Sequence, residues 1–168
     1  MKKNIFLVIA ALVIIWLASS MTYSQQTILP ELRVLLQNQP LKGLLSKIEF
    51  HYWGEVISIE TTGYFNFVEF LIRKSTHFFG YGIIGVIFYF FYVKLHLRFA
   101  PLLAIATVFI IGCIDEYRQY HIPGRTGIFA DVLIDTAGAV LLVGVTYMIH
   151  HYIKRRKNVK YRQKKVSI

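Results

Sequence analysis

Lys74, His77 and Tyr81 recur at i, i+3 and i+7, so one face of a helix would present all three. Further on, Asp115 and Gln119 stand four apart and Glu116 and Gln119 three apart. In a third stretch, Asp131, Asp135 and Gly138 share a face. Histidine beside carboxylates suits general acid–base work or metal binding. Lysine and arginine suit phosphate, lysine as a point charge and arginine as a bidentate donor. His77, Asp115 and Glu116 are therefore the candidate catalytic residues. Lys74, Tyr81, Gln119, Arg125, Asp131 and Asp135 are the candidate ligand-binding residues. A histidine with carboxylates can hold Mg or Mn, but no tight ligand motif is present, so neither metal nor cofactor is assigned. Ser75 and Thr76 adjoin His77 in sequence and fall on other helix faces, which leaves no nucleophile. The absence of a Walker A or Rossmann glycine pattern argues against nucleotide chemistry.

These residues must be positioned by apolar helices. The chain has 168 residues, enough for one compact domain, and 55% of them are hydrophobic. The apolar residues come in blocks, which favours a membrane protein. The blocks predict spans at about 5–20, 70–93, 99–116 and 128–149. The second helix begins near Asn66. At about 1.5 Å per residue, the length from there to Leu95 is about 45 Å, more than the hydrocarbon core. The first span also has the layout of a signal peptide, with Lys2 and Lys3 before an apolar core and Ala18, Ser19 and Ser20 after it; an uncleaved anchor is the favoured reading. Between spans 1 and 2 lies an outer loop, 21–65. In it PELRVLLQNQ and PLKGLLSKIEF each read as a short amphipathic helix on the membrane surface, with Tyr52 and Trp53 at headgroup level. The predicted fold is all-α: an integral membrane four-helix bundle with short interfacial helices in the first outer loop. Residues 1–150 form the membrane domain and 151–168 a basic tail. Cys113 is the sole cysteine, so there is no intrachain disulfide.

Charged residues inside a bilayer cost about 2.5–3.5 kcal/mol each on insertion scales and are usually functional. Lys74, His77, Asp115, Glu116, Asp131 and Asp135 all fall in or beside spans. With four spans, Lys2 and Lys3, Lys94 and Arg98, and the C-terminal cluster lie on one side, which should be the cytoplasm. The three polar stretches then converge on the outer side. The formal net charge is +10, and the stretch from Lys154 to Ile168 is basic with no acid. Next to a final span, such a tail marks the cytoplasmic side and touches anionic lipid rather than nucleic acid.

K-x-x-H-F at Lys74 to Phe78 followed by Tyr81, D-E-x-x-Q at Asp115 to Gln119, P-G-R at Pro123 to Arg125, then Asp131 and Gly138, resemble the VanZ-like family of bacterial membrane proteins. The resemblance covers roughly Arg73 to Gly144, and more loosely span 1 with Ser20 and Gln25. One departure is Asp135, where the family often has Asn. The resemblance implies a small helical protein of the bacterial plasma membrane. It also implies a link to teicoplanin resistance, after the member that gives the family its name.

Several functions fit these residues. The outer site binds an anionic headgroup of a phospholipid or a polyprenyl-linked wall precursor, with Lys74 and Arg125 on phosphate and His77 and Gln119 orienting the ligand. Alternatively, it is a membrane-embedded enzyme on such a lipid, with His77 as acid or base and Asp115, Glu116 or Asp131 as its partner. An ion-pair cluster that only locks helices together, and a proton or ion pathway, are the other readings. The expected partners are membrane lipids, a cell-wall precursor lipid or envelope proteins, and no nucleic acid. The charge distribution predicts both termini in the cytoplasm. Single cysteines at Asn38 and Asn158 should then differ, the first labelled from outside intact cells and the second only after permeabilisation. Equal labelling of the two from outside would overturn this topology.

Overall fold

The computed structural model describes residues 2–166, with side chains over 5–157. Lys2, Lys3 and the tail cations beyond residue 157, all used above to orient the chain, lie outside the described side chains. The fold is mostly helical. An apolar helix, α1 (Lys2–Ser19), leads into two short helices, α2 (Tyr23–Gln26) and α3 (Leu29–Leu35). A single-turn helix, α4 (Lys42–Leu45), precedes an antiparallel hairpin, β1 (Phe50–Tyr52) and β2 (Glu55–Ile57). Another single turn, α5 (Ile59–Thr62), then opens three long helices: α6 (Tyr64–Lys94), α7 (Ala100–Tyr120) and α8 (Phe129–Val166).

The hairpin corrects the all-α expectation. PLKGLLSKIEF is helical only over Lys42–Leu45. Its last residue enters a strand, because Trp53 (φ 51°) and Gly54 (φ 86°) form a two-residue turn with both residues in the left-handed region, which matches strand twist. Phe50 and Tyr52 on β1 then pack their rings against Phe67 and Phe70 of α6. Leu29–Leu35 does form a helix with Pro30 in its first turn.

Ser58 caps α5 by accepting from the Thr61 amide at 3.2 Å, and Gly63 (φ 80°) separates α5 from α6. The 31 residues of α6 extend about 46 Å, so this helix outruns the hydrocarbon core as its sequence implied. Pro101 sits in the first turn of α7, where its missing N–H costs nothing. The turn through Pro123 and Gly124 (φ 75°) leads to α8. That helix has no break at residue 149 and runs on to Val166. Helices α6, α7 and α8 are each long and apolar enough to cross a membrane. The apolar stretch Ile5–Ser19 passes as a span only jointly with Tyr23–Leu35, from which it bends by 118°.

Helix α8 packs most extensively on α6 and next on α7, while α1 lies against α6 and α7. Small residues set the distance between α6 and α8. A Cβ added at Gly138 would fall 1.9 Å from the Phe78 carbonyl oxygen, and one at Gly82 would fall 2.6 Å from Leu142 Cδ1. Backbone contact this close gives α6 and α8 the small-residue seam used between membrane helices. Below it, Phe88, Tyr89, Ala100, Ala104 and Val143 form an apolar core, and Tyr81, Val108 and Ala139 form another beside it. Outward faces stay apolar, as at Phe79, Ile83, Leu102, Ile110 and Leu133, where lipid tails would cover them.

Gly138→Val should push α6 from α8 and cost about 1–3 kcal/mol or more, as overpacking does. Gly144→Ala is its control, since a Cβ there meets nothing within 4 Å. Thermal unfolding in detergent should show a lower midpoint for the first and no loss for the second. Equal midpoints would show that the seam does not govern stability.

Candidate functional site

All three polar stretches meet at one end of the helices. The middle of α6, the end of α7 and the start of α8 bring Lys74 to Asp131, His77 to Asp135 and Tyr81 to Asp115. Asp115, Glu116, Asp131 and Asp135 are all buried, and Asp135 is 0% exposed. Each carboxylate has different partners, and Asp115 Oδ1, Glu116 Oε1 and Asp135 Oδ2 are buried without one.

Asp131 Oδ1 accepts from both Lys74 Nζ and the Tyr52 hydroxyl. The ammonium also lies 4.6 Å from the Tyr52 ring centroid and 5.2 Å from that of Phe70, so the hairpin roofs this ion pair. Burial, and then the bond to Asp131, push the Tyr52 phenol well above its ordinary range, which keeps it a donor. As an acid in the first turn of α8, Asp131 also meets the positive end of the helix dipole. Asp135 Oδ1 lies 3.0 Å from His77 Nδ1. Asp115 Oδ2 accepts from the Tyr81 hydroxyl at 2.8 Å and Gln119 Nε2 at 2.7 Å. Glu116 Oε2 accepts from the Ile128 amide at 3.0 Å, just before α8 begins.

Arg125 is placed differently from Lys74. It is buried, and it donates to the side-chain amide oxygens of Gln26 and Gln119. Among the described residues neither Arg125 nor Arg73 makes an ion pair. Both line a cavity of about 360 Å³ between α1 and α6, with His77, Asp115 and Gln119 at its polar end. Ile14, Ile15, Ile72 and Ile84 supply its apolar flank. Burial and then the Arg73 guanidinium disfavour the charge on Arg125. A second cavity of about 350 Å³ lies under the hairpin and is lined by Tyr52, Asn66, Phe70 and Lys74; Arg73 borders both cavities. Glu116 lines neither cavity, but one ligand atom from each of His77, Glu116 and Asp135 lies within 4.8 Å of the others.

Sequence reasoning missed four contributors. Glu69 is buried and accepts from the Tyr23 hydroxyl at 2.8 Å, Thr27 Oγ1 at 2.7 Å and the Ile28 amide at 2.7 Å. Burial, then the Glu69 bond, raise the Tyr23 phenol above its usual range. Arg73 adjoins Lys74 but, unlike it, lines both cavities. Gln26 and Tyr52 come from the segment between α1 and α6, where no pattern marked them as site residues. Glu69 had a signal, since it stands four residues before Arg73 inside an apolar helix.

No curated protein and no solved structure gives a significant match to this chain. A family model described as VanZ/LLP1 matches residues 4–150. That match takes in α1 from residue 4, the hairpin, α6, α7, α8 as far as residue 150 and every residue of the polar end, and on it the chain belongs to the VanZ/LLP1 family.

Proposed function

We propose that this multi-pass membrane protein binds an anionic lipid, with the headgroup on Arg125 and Arg73 and a hydrocarbon chain along the cleft between α1 and α6. The observation that carries this reading is Arg125. It is a buried guanidinium held by two neutral amides, beside a second guanidinium without an acid, at the polar end of an apolar cleft. Burying a charge without a counter-ion is costly, and a phosphate would supply that counter-ion with bidentate geometry. Lys74 already has Asp131, so it serves the site as a positioning residue rather than as the phosphate's partner. The ligand class is a phospholipid or a polyprenyl-linked wall precursor in the plasma membrane. A wall precursor would connect the site to the teicoplanin resistance implied by family resemblance. In this reading α1 is a fourth span, both termini are cytoplasmic, and the exposed Val34, Leu35, Leu41 and Leu44 rest on the outer leaflet.

Native mass spectrometry of the protein released from nanodiscs tests this. The wild type should retain a phosphate-bearing lipid, and Arg125→Met and Arg73→Met should each lower its occupancy about tenfold, because a charge-assisted contact is worth about 1.5–3 kcal/mol. Arg125→Met unpairs two amides and removes a cation near Glu116, Asp115 and Asp131, so its accumulation is compared with that of Arg73→Met. Unchanged lipid occupancy in both variants would overturn the proposal.

A second reading, an enzyme acting on the same lipid, is favoured by one observation. Asp135 holds His77 through Nδ1 while the imidazole lines the cleft. That arrangement orients a general acid or base towards a bound headgroup. His77→Gln should then bind the lipid but turn over none; retained turnover would remove His77 from the chemistry.

A further inference from the structure

We infer that His77, Glu116 and Asp135 form a site for one first-row divalent cation, Zn²⁺ or Mn²⁺. The three residues come from α6, α7 and α8, and each offers a ligand atom within 4.8 Å of the other two. Ligands sharing one metal at about 2.0–2.2 Å sit somewhat closer than this, so small side-chain movements close the site. Clustered acids alone would not make the case. The second observation is that Glu116 Oε1 and Asp135 Oδ2 are buried with no hydrogen-bond partner, on side chains 5% and 0% exposed. A buried carboxylate oxygen left unbonded costs free energy that a cation recovers.

The remaining partners agree. Lys74 neutralises Asp131; Asp115 also keeps one unbonded oxygen, but its other oxygen is held by a phenol and an amide and it is not among the three clustered residues. Glu116 accepts only a backbone amide, and Asp135 has only the imidazole. A divalent ion would bind the free oxygens of Glu116 and Asp135 beside a neutral imidazole. One imidazole and two carboxylates suit Zn²⁺ or Mn²⁺ better than the all-oxygen shell of Mg²⁺ or Ca²⁺. Three protein ligands also leave a coordination position open. The inference stands independently of the lipid reading, because neither Arg73 nor Arg125 is a ligand.

The test uses the full chain in detergent, stripped with EDTA and titrated with MnCl₂ while free Mn²⁺ is followed by electron paramagnetic resonance. Saturable uptake of one Mn²⁺ per chain, displaced by ZnCl₂, is expected, with a metal-dependent rise in the thermal midpoint. Glu116→Gln with Asp135→Asn should weaken uptake about 100-fold or more and abolish that rise. Glu60→Gln, an exposed acid outside the site, should keep it. Non-saturating uptake by the wild type, or equal uptake by the doubly substituted chain, overturns the site. If the double variant does not accumulate, the wild-type stoichiometry and its displacement by Zn²⁺ decide alone. Lipid occupancy in the Arg125→Met variant reports separately on the proposed lipid.

Discussion

The contact of Gly138 with the Phe78 carbonyl is the constraint on which the polar end depends. Phe78 follows His77 directly, and Gly138 lies one turn after Asp135. Backbones brought this close let a short Asp side chain reach the imidazole at 3.0 Å and let Lys74 reach Asp131 one turn further out. A larger residue at 138 would separate these pairs as well as the helices. The seam therefore contributes to packing and to electrostatics at once. In a lipid-surrounded protein, where apolar association between helices is weak, such seams and interhelical hydrogen bonds do most of the joining.

The polar end divides its charges into kinds that serve different purposes. Lys74–Asp131 is a closed pair under an aromatic roof, and replacing one partner would strand the other. Asp115 is fixed by neutral donors from its own helix and from Tyr81. Arg125 is held by neutral amides alone, and Glu116, Asp115 and Asp135 each keep one oxygen that no protein group bonds. The guanidinium lines the cleft between α1 and α6, whereas Glu116 lines neither cavity and accepts from the Ile128 amide.

Much of this was legible in the sequence because membrane helices announce themselves by length and because acids within them are rare. The i, i+3, i+7 spacing of Lys74, His77 and Tyr81 put three side chains on one face, and each meets a different carboxylate. A Cβ at Gly82 or Gly85 would meet Leu142, Ala139 or Val143 of α8. The hairpin was illegible because its turn is Trp53–Gly54 rather than the usual Asn-Gly, and its strands are three residues long. Helical spacing also says which side chains share a face but not which helix they meet. Arg73 and Lys74 are adjacent in sequence, yet only Arg73 reaches the α1 cleft, while Lys74 pairs with Asp131.

Glu69 gives the architecture a mechanical character. Through it, Tyr23, Thr27 and Ile28 are all tied to a single carboxylate on α6, just past the end of α1. The segment after α1 is thus fastened to α6 through one side chain, while Arg118 donates to Ser20 and lies over Trp16, tying the same end of α1 to α7. The tight seam between α6 and α8 is built without any of these groups, so the position of α1 and the packing of the long helices are set by separate contacts.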